Sequence, residues 1–390
     1  MLPIDKTPTV TRRGIGLVGA AAAVALAAPA RIGRAQPAVI RVGNIQALTG
    51  PSAPYGIRAR DGGLLTLEDI NSTGLTLGGT TYRLEMSVDD MANDARQAIT
   101  LMRQYASDPA IVAVIAPSNS VGYVPLVAVS GQLQVVTMAT GSGAPIPTWN
   151  MYAYRLNPVS ATAVPAMMRK VVPKERIKRL AVVYDQTQDA QKGDAEVARR
   201  IAGELGCEVV AFEAFRAGDQ DVSPQAAKVR ASRPDGIYLA AATGDGVRVA
   251  SQLREAGIDS PMMTGFGSFQ DPVYWDGTNG QIKGCYTWLG VDLATPGTAL
   301  KPFLDHYTAK FPQGPTSFSV YGSDALITIV AALKKAGKAD RTALAEALSS
   351  ISITTPVGSV ISFNNPPTGE NQTPSVVVVQ VTGRGTYVSV

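Results

Sequence analysis

The chain has 390 residues, enough for two units of ordinary size, and its 45% apolar content is that of a globular protein, which argues against intrinsic disorder. Its formal charge of +4 is concentrated at the N-terminus, where Lys6, Arg12, Arg13, Arg31 and Arg34 face only Asp5; the remainder carries 30 basic and 30 acidic residues. A nucleic-acid partner, which needs a basic face, has no support.

Arg12 and Arg13 lead into an Ala-rich apolar run over 17–28, followed by Gly33, Arg34 and Ala35. A charged head, an apolar middle and a small-residue end describe an export signal over 1–35, since a spanning helix needs ~20 apolar residues. The arginine pair resembles a twin-arginine signal; an ordinary Sec signal is the alternative, because Ile15 stands where Phe is usual. Either route implies a periplasmic product. With no later spanning run and no Cys at the cleavage point, a soluble one is expected.

From residue 38 onward, short β-branched runs alternate with amphipathic stretches, the pattern of parallel sheets with crossover helices. A strand is expected at 40–46, a loop at 51–56, and a helix at 57–71 with Leu64, Leu65, Leu67 and Ile70 at helical spacing. Strand 82–89, helix 93–107 with Asn93 as N-cap, strand 111–115, helix 121–131 and strand 135–138 complete a first half. After a segment at 152–158 the rhythm restarts with helix 161–171, strand 180–184, helix 194–205, strand 208–212, helix 223–232, strand 236–241, helix 245–256 and strand 262–265. Strand 286–291, helices 298–311, 323–335 and 341–348, and strands 360–363 and 375–381 follow, the last two separated by a turn cluster at 364–374. Cys207 and Cys285 each precede a strand and are expected to be buried free thiols at opposite edges of one sheet.

Catalytic constellations find little support. His306 is the single histidine and reads as a solvated or capping helix residue. No Gly-x-Ser-x-Gly elbow is present, and the Gly-rich turns at Gly141-Ser142-Gly143 and Gly265-Phe266-Gly267-Ser268 lack the spacing and Lys of a phosphate loop. One His and two separated Cys cannot make a zinc cage. The adjacent carboxylates Glu68 and Asp69, and Asp89 and Asp90, read as solvated surface charge. No enzyme, cofactor or metal is expected.

The segment Leu48-Thr49-Gly50-Pro51-Ser52-Ala53-Pro54-Tyr55-Gly56 is followed by Asp69-Ile70-Asn71, Ile115-Ala116-Pro117-Ser118-Asn119-Ser120, Met138-Ala139-Thr140-Gly141 and Tyr154-Arg155 with Pro158. Further on come Leu180-Ala181-Val182-Val183-Tyr184-Asp185, Leu253-Arg254-Glu255-Ala256-Gly257 and Ala331-Ala332-Leu333-Lys334-Lys335-Ala336-Gly337. In this order and spacing, over nearly the whole chain after the signal, the sequence resembles the type I periplasmic solute-binding proteins of the branched-chain amino-acid receptor group.

The resemblance implies an α/β fold of two flavodoxin-like, doubly wound parallel-sheet lobes joined by a three-crossing hinge, with ligand at the carboxyl ends of the strands. Lobe 1 would be 38–156 and 289–355, and lobe 2 157–288 and 356–390. It also implies a substrate-binding protein of an ABC importer, a monomer that closes on a small carboxylate or amino-acid-like ligand and delivers it to permease subunits in the membrane. A ligand-sensing subunit for a membrane signalling protein is the alternative from another class, and an exported hydrolase is disfavoured by the missing base and nucleophile.

By the same resemblance, Ser118, Ala139 and Thr140 would hold the ligand carboxylate, with Asn119, Ser120 and Gly141 also at the ligand. Independently, hydroxyls and main-chain N–H groups beside a helix N-terminus make a neutral anion site. Tyr55, in the first loop, would form an aromatic wall. The second lobe would contribute Gln188, Asp189, Thr243, Asp245, Phe266 and Gly267. The family's amino-acid receptors hold the ammonium group with an acid at the position of Phe266, so an amine-free acid, aromatic or aliphatic, is expected over an α-amino acid. Asp189 and Asp245, on loops facing the cleft, are the other sources of negative charge.

Overall fold

The computed structural model of the protein describes residues 38–265 and 268–390; the expected export signal, Phe266 and Gly267 lie outside them. The first half runs β1 (Ala38–Gln46), α1 (Ala53–Thr73), β2 (Leu75–Leu77), β3 (Thr80–Asp90), α2 (Ala95–Ser107), β4 (Ile111–Ala116), α3 (Ser120–Leu133), β5 (Val136–Ala139) and β6 (Ala153–Arg155). The second runs α4 (Ser160–Lys174), β7 (Arg179–Asp185), α5 (Asp189–Glu204), β8 (Glu208–Phe215), α6 (Ser223–Ala231), β9 (Gly236–Ala240), α7 (Thr243–Glu255), β10 (Met262–Thr264), α8 (Pro272–Gly277) and β11 (Tyr286–Leu289). Then come α9 (Lys301–Lys310), α10 (Ser317–Ala336), α11 (Arg341–Ser349), β12 (Ser352–Thr354), β13 (Val360–Ser362), β14 (Val377–Gly383) and β15 (Thr386–Ser389).

Among the described residues β12 pairs with β13 in a small sheet, and two large sheets result, ordered β2-β3-β1-β4-β5-β6 and β15-β14-β11-β10-β9-β7-β8. The parallel strands of each follow the flavodoxin-like order in which the first strand lies between the second and third, so each sheet has its own topological switch point. Helices cover both faces. In the first lobe Ile40, Val42 and Leu84 pack toward α10 and α11, while Ile45 and Val114 pack toward α2 and α3. This is why β4, Ile-Val-Ala-Val-Ile-Ala, is apolar at every position and buried throughout.

Several element boundaries differ from the pattern-based ones for local reasons. Helix α1 starts at Ala53 because Pro54 falls in the first turn, where its missing N–H has no partner to lose, so Tyr55 is helical rather than in a loop. Helix α10 starts at Ser317, before the expected 323, where Ser319 Oγ accepts the Thr316 N–H at 3.1 Å. The cap of α2 is Asp94, not Asn93, accepting the Arg96 and Gln97 N–H groups. The C-terminal segment expected in lobe 2 from 356 onward begins in lobe 1: Ile361 and Phe363 are buried in the first lobe's core, and only from Val376 does the chain join the second. Cys207 and Cys285 are buried and free. Cys207 precedes the edge strand β8, but β14 and β15 extend the sheet beyond β11, so Cys285 is not at an edge.

Helices α1 and α10 approach too closely for side chains at their crossing. A methyl group on Gly62 would overlap the Ser319 carbonyl, and one on Gly322 the Ala59 carbonyl; one turn on, the Thr66 and Ser323 hydroxyls bond at 2.6 Å. This crossing sets the direction of α1, whose first turn reaches the second lobe. Gly62→Ala is expected to lower stability by about 1–3 kcal/mol, the usual cost of overpacking against backbone, measured by urea unfolding.

Candidate functional site

A cavity of about 660 Å³ lies where the carboxyl ends of both sheets face each other. The first lobe lines it with Ser52 and Tyr55 of the α1 entry, Ser118 to Val121 at the start of α3, and the loop after β5; the second with Ser160, Thr187 to Gln191, Asp194, Ala241, Gly265 and Ser268. Both lobes thus contribute segments at their switch points, β1/β4 and β7/β9.

The first-lobe wall is held by Gln46, at the end of the central strand β1. Its Oε1 accepts the Ser118 N–H at 3.0 Å and the Ser118 hydroxyl at 2.8 Å, while Nε2 donates to the Ala116 carbonyl at 3.1 Å. Ser118 and Thr140 hydroxyls are 2.6 Å apart; with the Ser118 proton directed at Gln46, Thr140 is the donor. Asn119 caps α3 by accepting the Gly122 N–H at 2.9 Å, which leaves the earliest N–H groups of the helix at its cavity end. Arg155, fully buried, pins the loop after β5 by donating to the carbonyls of Ser142 at 2.9 Å and Ala144 at 2.7 Å and pairing with Glu370. Gly141 must be glycine, because a methyl group there would overlap the Phe318 ring.

Tyr55 stacks on Phe318 with centroids 4.6 Å apart. Its hydroxyl accepts the Thr243 N–H at 3.0 Å, and the Gly244 N–H donates to the Pro51 carbonyl at 3.1 Å. Nearby, Arg58 and Asp271, each almost fully buried, form an ion pair at 3.2 Å between the lobes. Residues 51–58, at the entry and start of α1, therefore touch the second lobe at three points.

Of the positions expected from sequence, Tyr55, Ser118, Asn119, Ser120, Gly141, Gln188 and Asp189 line the cavity. Thr140 stands behind Ser118, and Ala139 is packed against Tyr123 and Val127. Asp189 and Asp245 lie on the first turns of α5 and α7, not on loops. Asp189 is exposed; Asp245 faces away, accepting the Gly218 N–H at 3.1 Å and pairing with Arg248 at 2.5 Å. Thr243 meets Tyr55 through its main chain. Phe266 and Gly267 are outside the described residues. Asp90, read as a solvated charge, instead fixes the loop after β1, accepting from the N–H groups of Leu48 and Ala92 and from the Thr49 hydroxyl. His306 is exposed on α9.

Two residues outside the expected set shape the site. One is Gln46. The other is Asp194, 7% exposed, whose carboxylate lies against the end of β10 so closely that a methyl group on Gly265 would overlap it. Burial pushes its carboxyl up to about 7, with only the Ser160 hydroxyl opposing. The expectation of an amine-free ligand rested on there being no acid at this strand end, and Asp194 supplies one from α5. A sequence signal existed: Asp194 shares the helical stripe of Ala195, Ala198, Ile201 and Ala202, all buried.

Residues 39–386 match the family model described as periplasmic binding protein. The chain belongs to that family. A leucine-, isoleucine-, valine-, threonine- and alanine-binding protein of Pseudomonas aeruginosa is 26% identical over 321 residues, covering 80% of this chain and 83% of the relative. A leucine-binding protein of Thermotoga maritima superposes with a TM-score of 0.79 at 21% identity, over 90% of this chain and 97% of that one. A Rhodopseudomonas palustris solute-binding protein of an ABC transporter, solved with 3,4-dihydroxybenzoic acid, gives 0.77 at 21% identity, over 90% and 96%. The periplasmic binding protein has the type I fold of these structures. Among its described residues no helix is long and apolar enough to cross a membrane, and no cluster of three or more His, Cys, Asp or Glu is placed to hold a metal ion.

A carboxyl raised by folding binds its proton more tightly in the folded than in the unfolded chain. The stabilisation is therefore complete below about pH 4 and is lost as pH rises toward 7. Asp324, fully buried on α10 and pushed up to about 6, acts with the same sign. Relative to wild type, Asp194→Asn in the ligand-free protein should remove a pH-dependent stability loss of up to about 4 kcal/mol between about pH 4 and pH 7.5, read from urea unfolding at both ends.

Proposed function

We propose that this protein is the substrate-binding component of an ABC importer, exported to the periplasm, and that it captures a small organic carboxylate between its lobes without chemical change to it. We take the lobes as 38–156 with 289–375, and 157–288 with 376–390; permease subunits in the inner membrane are the partners.

The observation that carries this reading is the arrangement at the start of α3, where the first N–H groups of the helix meet the cavity beside the Ser118 hydroxyl, whose proton turns from Gln46 to a bound carboxylate while the Ser118 N–H keeps its bond to Gln46 and Thr140 stays bonded behind. Such a site neutralises a carboxylate by directed dipoles. No Lys or Arg is among the described lining residues, so these neutral donors are the groups suited to an anion. The relatives named above are described with branched-chain amino acids, threonine or alanine, or with dihydroxybenzoic acid, all of which carry a carboxylate. With Asp194 at the opposite wall, an amine on the ligand is no longer disfavoured. The segment 1–35 has the order of an export signal, which supports delivery to the periplasm.

Thermal-shift screening against amino acids, aromatic acids, dicarboxylates and the matching amides should show stabilisation by acids and none by their amides. Ser118→Ala is expected to weaken binding of the best acid by about 1–3 kcal/mol in calorimetry, the cost of a hydrogen bond to a charged group. Unchanged affinity would remove Ser118 from the site.

A further inference from the structure

The second-lobe wall of the cavity presents acceptors that the carboxylate site does not use. Asp194 Oδ1 and Gln191 Oε1 are both buried without a hydrogen-bond partner, and both residues line the cavity. They lie three residues apart on α5, hence on neighbouring turns of one face. A ligand carboxylate cannot satisfy them, because acceptor would meet acceptor.

The surroundings offer Asp194 no cation. From α4 comes the Ser160 hydroxyl, from β10 the Gly265 main chain, and from β9 the buried Tyr238 hydroxyl. On α5 itself Asp189 and Lys192 are exposed. The β7 carboxyl of Asp185 is bonded to Thr187 and Gln188, the β8 carboxyl of Glu213 is paired with Lys228, and α3 brings only uncharged side chains to the cavity.

We propose that Asp194, supported by Gln191, is the specificity-determining residue of this receptor and selects ligands that carry a hydrogen-bond donor, a hydroxyl or an ammonium, at the end remote from the carboxylate. The assignment rests on the carboxylate reading above. An ionised, desolvated carboxylate rewards such a donor with a charge-assisted bond, whereas a ligand without one leaves the carboxylate buried and unpaired.

The test is calorimetry on the purified protein with matched pairs of acids. Benzoate against 3- and 4-hydroxybenzoate isolates a hydroxyl; hexanoate against 6-aminohexanoate isolates an ammonium. Wild type should bind the donor-bearing member of at least one pair about tenfold or more tightly than its twin, and which pair responds names the donor. In Asp194→Asn, checked for folding by circular dichroism, and in the milder Gln191→Ala, that preference should shrink, to within about threefold for the former. Wild-type affinity for the preferred member should fall as pH is lowered from about 8 to about 6, and the Asn variant should lack that fall. Donor-free acids binding wild type as tightly as their partners, or a preference that survives Asp194→Asn, would overturn the assignment. Ser118→Ala separates this failure from failure of the carboxylate reading, because it weakens both members of a pair alike if the carboxylate sits at α3.

Discussion

The contact on which the site depends is the meeting of the entry and start of α1, residues 51–58, with the second lobe. Tyr55, Pro51 and Arg58 lie within eight residues, and each has one partner across the cavity: the Thr243 N–H, the Gly244 N–H and the Asp271 carboxylate. The aim of this turn is set at a distance, by glycines that let α1 lie directly on the backbone of α10. A rigid helix seated by backbone contact transmits position along its length, so the geometry at Tyr55 is inherited from Gly62 and Gly322. Phe318, at the start of α10, completes the inheritance by backing the Tyr55 ring.

The two walls of the cavity are chemically complementary in a way that limits what fits between them. The first presents hydroxyls and main-chain N–H groups held by Gln46 and Arg155, both buried and both spending their hydrogen bonds on the protein rather than on the cavity. The second presents oxygen acceptors. Neither wall carries a fixed positive charge among its described residues. Directed neutral donors bind an anion in one orientation without the long-range attraction of a cation, which suits the reversible capture proposed above.

Much of the architecture is legible in the sequence because buried parallel strands leave continuous apolar runs, as in residues 111–116, and crossover helices leave a stripe. What pattern reading misplaces has local causes. Helices that open on a proline are begun too late, which puts Tyr55 in a loop. Very short strands such as β2 and β6 carry too few residues for a period. The third passage between lobes is misjudged because Ile361 and Phe363 differ in no way, as residue types, from residues bound for the other core. For the site, motif positions at strand ends are readable, whereas Gln46 resembles an ordinary polar residue until tertiary packing removes its water, and Asp194 is marked only by its place in the buried stripe of α5. Asp194 shows the limit most clearly: the sequence has Phe266, not an acid, after β10, and the structure brings a carboxylate there from α5 instead.

The way the lobes meet also bears on how they part. Among the described residues every buried apolar cluster belongs to one lobe: those built on β1, β4 and β5 include no residue of β7 to β11, and the converse holds. Across the gap the contacts include the Gly244–Pro51 main-chain hydrogen bond, the Tyr55 hydroxyl accepting the Thr243 N–H, the Arg58–Asp271 pair, and the Gln270 side-chain oxygen accepting the Ser317 N–H at 2.7 Å. Groups of this kind exchange protein partners for water at a net cost of about 1 kcal/mol each, while exposing a shared apolar core would cost ~25 cal/mol for every Å². A seam made of polar contacts, with each core kept whole on its own side, allows the lobes to separate without either one losing stability. Closure is then decided by a small balance that a ligand satisfying both walls is able to tip.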